Sequence, residues 1–104
     1  MGYAAYRYAS SPRQAATAFV VLDVIAEVRE AAHVRHAASA CAGAGVLRCI
    51  PLQQDGRVRL QVRCPQCEVE HLMQQVMRLT VAAEFGRVAC WADHLAACQA
   101  ARHG

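Results

Sequence analysis

Lysine and asparagine are missing from this chain, so all eleven Lys+Arg positions are Arg, and aromatic residues make up only 6% of its 104 residues. The Arg-for-Lys bias together with abundant Ala reads as genomic codon bias. A formal net charge of +3 does not by itself argue for a nucleic-acid partner. No apolar run is long enough to cross a bilayer: the longest, "AATAFVVLDVIAEV", is broken by Asp23. The N-terminal "MGYAAYRYASSPRQ" has no apolar core of a signal peptide, and Tyr6 stands where a myristoylation site needs Ser or Thr. The expectation is a soluble, cytoplasmic protein without a membrane or nucleic-acid partner, whose six Cys are reduced thiols. Cys41 and Cys49 read as small core residues, since an unpaired Cys behaves as a buried hydrophobe.

Chemistry is sparse as well. There is no Ser-His-Asp constellation, no phosphate-cradling Gly loop and no paired carboxylates, so the chain is not expected to be an enzyme. No Pro follows Pro65. That leaves the strand-"CPQC"-helix arrangement of residues 64–67 without the proline that faces a thioredoxin-type thiol pair. The chain length fits a single domain, and 56% hydrophobic content suffices for a core without staples.

What is present is periodicity. Residues 1–16 read as a lead-in carrying all three Tyr, 17–91 as the domain, and 92–104 as a tail that can add a short helix. "TAFVVLDVIA" is rich in β-branched residues and predicts a first strand over 17–26. Ala31, Val34, Ala38 and Cys41 step by three or four and predict a helix, with Gly43 and Gly45 beyond it. "VLRCIPLQQ" predicts a second strand, and Pro51 confines it to a sheet edge. Asp55-Gly56 signals a hairpin into "RVRLQVR", which alternates strictly: Val58, Leu60 and Val62 to one side, Arg57, Arg59, Gln61 and Arg63 to the other. A second helix is predicted from Gln66 to Glu84, with Val69, Leu72, Val76, Leu79 and Ala83 as its apolar stripe, widened by Met73 and Met77. Gly86 is expected to stop it before a fourth strand in "RVACW".

The order βαββαβ predicts an α+β, ferredoxin-like sandwich: a four-stranded antiparallel sheet, order 4-1-3-2, with both helices on one face. RNA-recognition motifs share this topology, but "RVRLQVR" has no aromatic on which a base could stack.

From "VVLDVIAEVREAAH" through "GAGVLRCIPLQQDGRVRLQV" to "EHLMQQVMRLTVAAEFGRV", about residues 18–90, the chain resembles an ACT domain. This is a small regulatory module of amino-acid metabolism, found for example in acetolactate synthase small subunits. The resemblance implies a stand-alone regulatory domain that binds an amino acid at a homodimer interface and acts on a metabolic enzyme. In that family the loop after the first strand carries the effector, which here places the site at Glu27, Arg29, Glu30, Ala31 and His33. Ala31 stands where the family has glycine. Arg29 can grip a carboxylate with two prongs and Glu30 can take an amine, or both can simply begin a solvated helix.

No cofactor is expected beyond a possible zinc ion. In the predicted sheet Cys64 and Cys90 leave parallel strands at the same rim, about 9–10 Å apart. Cys67 starts the second helix there, and "CWADHLAAC" can return His94, with Cys98 as substitute. Cys64, Cys67, Cys90 and His94 thus form a candidate tetrahedral set, in a metal-binding structural or interaction module of the same fold. The alternative is that these thiols only pack. His33 and His36 share a helix face but have no third ligand nearby, and read as surface.

Overall fold

The computed structural model describes residues 18–53 and 56–103. The expected lead-in over 1–16 and Asp55 of the hairpin signal lie outside the described residues. Strand β1 (Phe19–Glu27) is central, antiparallel on one side to β3 (Arg57–Pro65) and on the other to β4 (Glu84–Cys90); β2 (Gly45–Pro51) lies beyond β3. The sheet order β2-β3-β1-β4 is 4-1-3-2 counted from the opposite edge. Pro51 sits on an edge strand, where its missing N–H costs no central ladder bond.

Alternation sorts the side chains. Val20, Leu22, Val24 and Ala26 of β1 and Val58, Leu60, Val62 and Cys64 of β3 are buried on one face. Two helices close that face: α1 (Ala31–Ser39) contributes Val34, Ala37 and Ala38, and α2 (Val69–Leu79) contributes Leu72 and Val76. A third helix, α3 (Trp91–His103), packs on β1 and β4. Its Asp93, His94 and Ala97 lie beside Val21, Asp23 and Gln61 of the opposite sheet face, and Val21 is buried there. Over the described residues the fold is therefore α+β, with an antiparallel four-stranded sheet and three α-helices. No described helix is long and apolar enough to cross a membrane.

The two halves repeat one another. The first strand, the 3-10 turn after it and the helix begin at 19, 28 and 31; their counterparts begin at 57, 66 and 69, each 38 positions later. This shift lays Glu30 on Glu68, His33 on His71, Val34 on Leu72 and Ala38 on Val76. In each half a Glu ends the 3-10 turn, at φ −99° and −100° respectively, and His follows three residues on. The backbone thus contains an internal repeat.

The second helix is shorter than its apolar stripe implies. It ends at Leu79, where the Thr80 hydroxyl donates to the Val76 carbonyl at 2.7 Å and Val81 N–H is taken by the Glu30 carboxylate at 2.8 Å. That tertiary contact, with two β-branched residues in succession, outcompetes the helix. Ala83 still packs on the core, but from the connecting segment, and Met77 is 58% exposed. Gly86 is not a helix stop. It lies inside β4 at an irregularity opposite Asp23, whose Cβ would stand 3.2 Å from any Cβ added there.

Leu72→Ala should lose about 2–5 kcal/mol of stability, whereas Met77→Ala should stay within about 0.5 kcal/mol. Urea denaturation of the two variants measures this. Equal losses would restore the wider stripe.

Candidate functional site

Antiparallel packing of α1 and α2 makes two ends. At one, the start of α1 meets the segment after α2, as the Glu30–Val81 bond shows. Glu27, Arg29, Glu30, His33, Val81 and Ala82 line a cavity there of about 330 Å³. Glu30 is only 7% exposed. One of its oxygens accepts the Val81 N–H; the other, Oε1, is buried without a hydrogen-bond partner. Leaving such an atom unpaired is costly, about 1–3 kcal/mol and more for a charged group. Arg29 is exposed and holds Glu27 Oε1 at 2.8 Å through its guanidinium. Val81, which lines the cavity, is 95% exposed, and Val28, between Glu27 and Arg29 in sequence, is 60% exposed.

Four of the five expected ligand residues thus come together. Ala31 does not join them. It is the first residue of α1 and packs against the core, so its Cβ does not obstruct the cavity.

The opposite end joins the turn after α1 to the start of α2. Cys41 Sγ lies 3.7 Å from His71 Nδ1, and the same nitrogen lies 3.2 Å from Glu68 Oε1. Gln75 Nε2 stands 3.4 Å from the other ring nitrogen. Burial, and secondarily the Glu68 carboxylate, pushes the Cys41 thiol above its ordinary value. Burial also pushes Cys64 up to about 11, with Cys41, Glu68 and Cys67 adding to it. Cys64 is also fully buried, so its thiol is not presented for exchange with an outside disulfide.

The expected zinc set does not assemble. Cys64 and Cys90 do share a rim, since both pair with Val20, but Cys64 is sealed in the core while Cys67 and Cys90 are exposed. His94 is carried by α3 to the other sheet face, where it stacks on Trp91 with ring centroids 5.6 Å apart and lies 3.6 Å from Cys98. The cause is that α3 starts directly at Trp91 and crosses to cover Val21 instead of folding back over the rim. Among the described residues, the group of three or more potential ligands that does converge is Cys41, Glu68 and His71. The sequence reading missed it. Its one local signal was the Glu-x-x-His spacing of 68 and 71; the partner thiol is thirty positions from His71.

On the sheet face under α3 the Arg row finds partners within the chain, although Arg59 Nε makes no hydrogen bond. Arg57 pairs with Glu84 at 2.7 Å, Arg59 lies 3.9 Å from Asp23, and Arg63 sits between the Phe19 and Trp91 rings. A second cavity on that face is about 130 Å³, below the roughly 300–1,000 Å³ of ordinary ligand sites. No protein-family model matches the chain, and comparison with curated proteins and with solved structures likewise returns no match.

Glu30→Gln keeps an acceptor for Val81 N–H and removes the charge on the unpaired oxygen. Its stability should stay within about 0.5 kcal/mol of the parent or exceed it, while Glu30→Ala should lose about 1–3 kcal/mol. Denaturant midpoints test this. A Gln variant as unstable as the Ala variant would mean that the carboxylate is there for the fold alone.

Proposed function

We propose that this chain is a stand-alone, ACT-like regulatory domain of ferredoxin-like form that binds a small zwitterion, an amino acid, between α1 and the Val81 segment. The observation that carries the reading is the unpartnered Oε1 of buried Glu30, set in a cavity of about 330 Å³ with Arg29 at its edge. An ammonium group would give Oε1 the donor it lacks, by a charge-assisted bond. The Arg29 guanidinium has N–H groups beyond Nε and Nη2, which both face Glu27, and can take the carboxylate of the same molecule. Cavity size supports a ligand of few atoms, since it lies at the small end of ordinary binding sites.

A second copy of the chain belongs to this reading. Val28 and Val81 leave apolar surface beside the cavity, and β2 and β4 are open sheet edges. A homodimer that covers the cavity would bury both and close the ligand against the partner. The role is binding, without catalytic residues; the regulated partner would be a cytoplasmic metabolic enzyme.

Screening the twenty amino acids by thermal shift tests the proposal. A ligand at about 100 times its Kd adds roughly 2.7 kcal/mol, a melting shift of order ten degrees for a domain this size. Glu30→Gln and Arg29→Ala should each abolish it. Light scattering should show a dimer at micromolar concentration. No shift with any amino acid at millimolar levels would overturn the ligand class, and a strictly monomeric chain would overturn the shared site.

A further inference from the structure

We propose that Cys41, Glu68 and His71 form a binding site for a zinc-type divalent cation, at the end of the helix pair opposite the cavity. The three donor atoms all lie within 4.8 Å of one another. Tetrahedral zinc, with bonds of about 2.3 Å to sulfur and about 2.0–2.2 Å to nitrogen and oxygen, sets its donors roughly 3.3–3.6 Å apart. The thiol-to-imidazole and imidazole-to-carboxylate separations here are 3.7 and 3.2 Å. Little movement is needed to receive the ion.

Hydrogen bonding serves the thiol only weakly in this cluster. His71 Nδ1 faces both the thiol and the carboxylate. A ring nitrogen either carries a proton and donates, or has a lone pair and accepts. If Nδ1 donates to Glu68, it leaves Cys41 only a weak share of that N–H at 3.7 Å; if it accepts from Cys41, it opposes a carboxylate oxygen with its own lone pair. A cation satisfies all three at once. The same geometry does not suit a Cys-His-Glu catalytic relay, because a relay needs the nucleophile and the orienting carboxylate on opposite nitrogens of the histidine base. Gln75 instead occupies the far nitrogen at 3.4 Å, and with its amide turned so that oxygen accepts, it holds the Nε2 proton there and leaves Nδ1 for the metal.

The donor set names the class of cation. A thiolate with imidazole and one carboxylate suits zinc and its neighbours, and neither calcium nor magnesium, which take oxygen ligands. Cys41 lies beneath, buried in the core edge, while Glu68 and His71 stand at the surface, so the fourth place opens toward solvent. The repeated backbone explains why this end differs from the other. Both halves carry Glu and His three apart after the 3-10 turn, but only Glu68 and His71 are met by a cysteine, supplied by the turn after α1.

Purified chain, stripped with chelator, desalted and incubated with zinc, is examined by native mass spectrometry and by melting; a parallel sample takes cobalt for its absorption spectrum. The expected result is one zinc per chain, a higher Tm, and a thiolate-to-cobalt charge-transfer band. Cys41→Ala should lose the band, His71→Ala should lose the ion, and Gln75→Ala should weaken binding about 10–100-fold. Cys90→Ala, on the same rim but outside the cluster, should change none of these. His71 is half exposed, so its variant retains the core even if Cys41→Ala does not fold. Absence of uptake, uptake that survives His71→Ala, or a cobalt spectrum without the thiolate band would each overturn the proposal. None of these outcomes depends on the amino-acid cavity, which is read by its own panel.

Discussion

Double pairing of β1 is the constraint from which the other elements follow. With β3 on one side and β4 on the other, each side chain of β1 must face one of two layers. Val20, Leu22, Val24 and Ala26 need an apolar cover, and α1 and α2 supply it. Val21 faces the other way and needs one too, which is what recruits α3 and removes His94 from the cysteine rim. Burial of a Val or Leu side chain is worth about 1.5–3 kcal/mol. A loose tail that covers Val21 therefore gains more than one that hovers over an exposed edge.

The same pairing makes both polar ends of the molecule. The strands deliver the chain into 3-10 turns at the same level of each half, and each turn ends in a glutamate just before a helix. Because α1 and α2 run antiparallel, each glutamate meets the segment that follows the other helix. Glu30 meets Val81 and a cavity; Glu68 meets Cys41 and His71. One arrangement leaves a carboxylate oxygen without a hydrogen-bond donor, and the other turns a thiol and a carboxylate toward one imidazole nitrogen. The two proposed sites are thus two outcomes of one repeated turn.

Sheet, helices and their core were legible because periodicity is local. Strict alternation over 57–63 and three-to-four spacing of Val34, Ala38 and Cys41 can each be read within a few residues. Boundaries were not. The helix stop at Leu79 depends on a carboxylate from residue 30, and the position of Gly86 on a side chain of β1. The cavity was legible in part: Glu27, Arg29, Glu30 and His33 are contiguous, while Val81 and Ala82 arrive from across the helix pair. Cys41 was readable as buried but not as a neighbour of His71. The cysteines that looked like a ligand set share a rim yet face different surroundings, which sequence spacing does not encode.

The central claim is that Glu30 Oε1 awaits an amine. Titrating isotopically labelled protein with the amino acid that stabilises it, and following backbone amide resonances, tests it most directly. The account predicts saturable shifts centred on the amides of Arg29, Glu30 and Val81, with Val81 N–H still hydrogen-bonded to Glu30 and protected from exchange. Shifts confined to the Cys41–His71 end, or a saturating ligand that leaves Glu30 and Val81 unmoved, would contradict it.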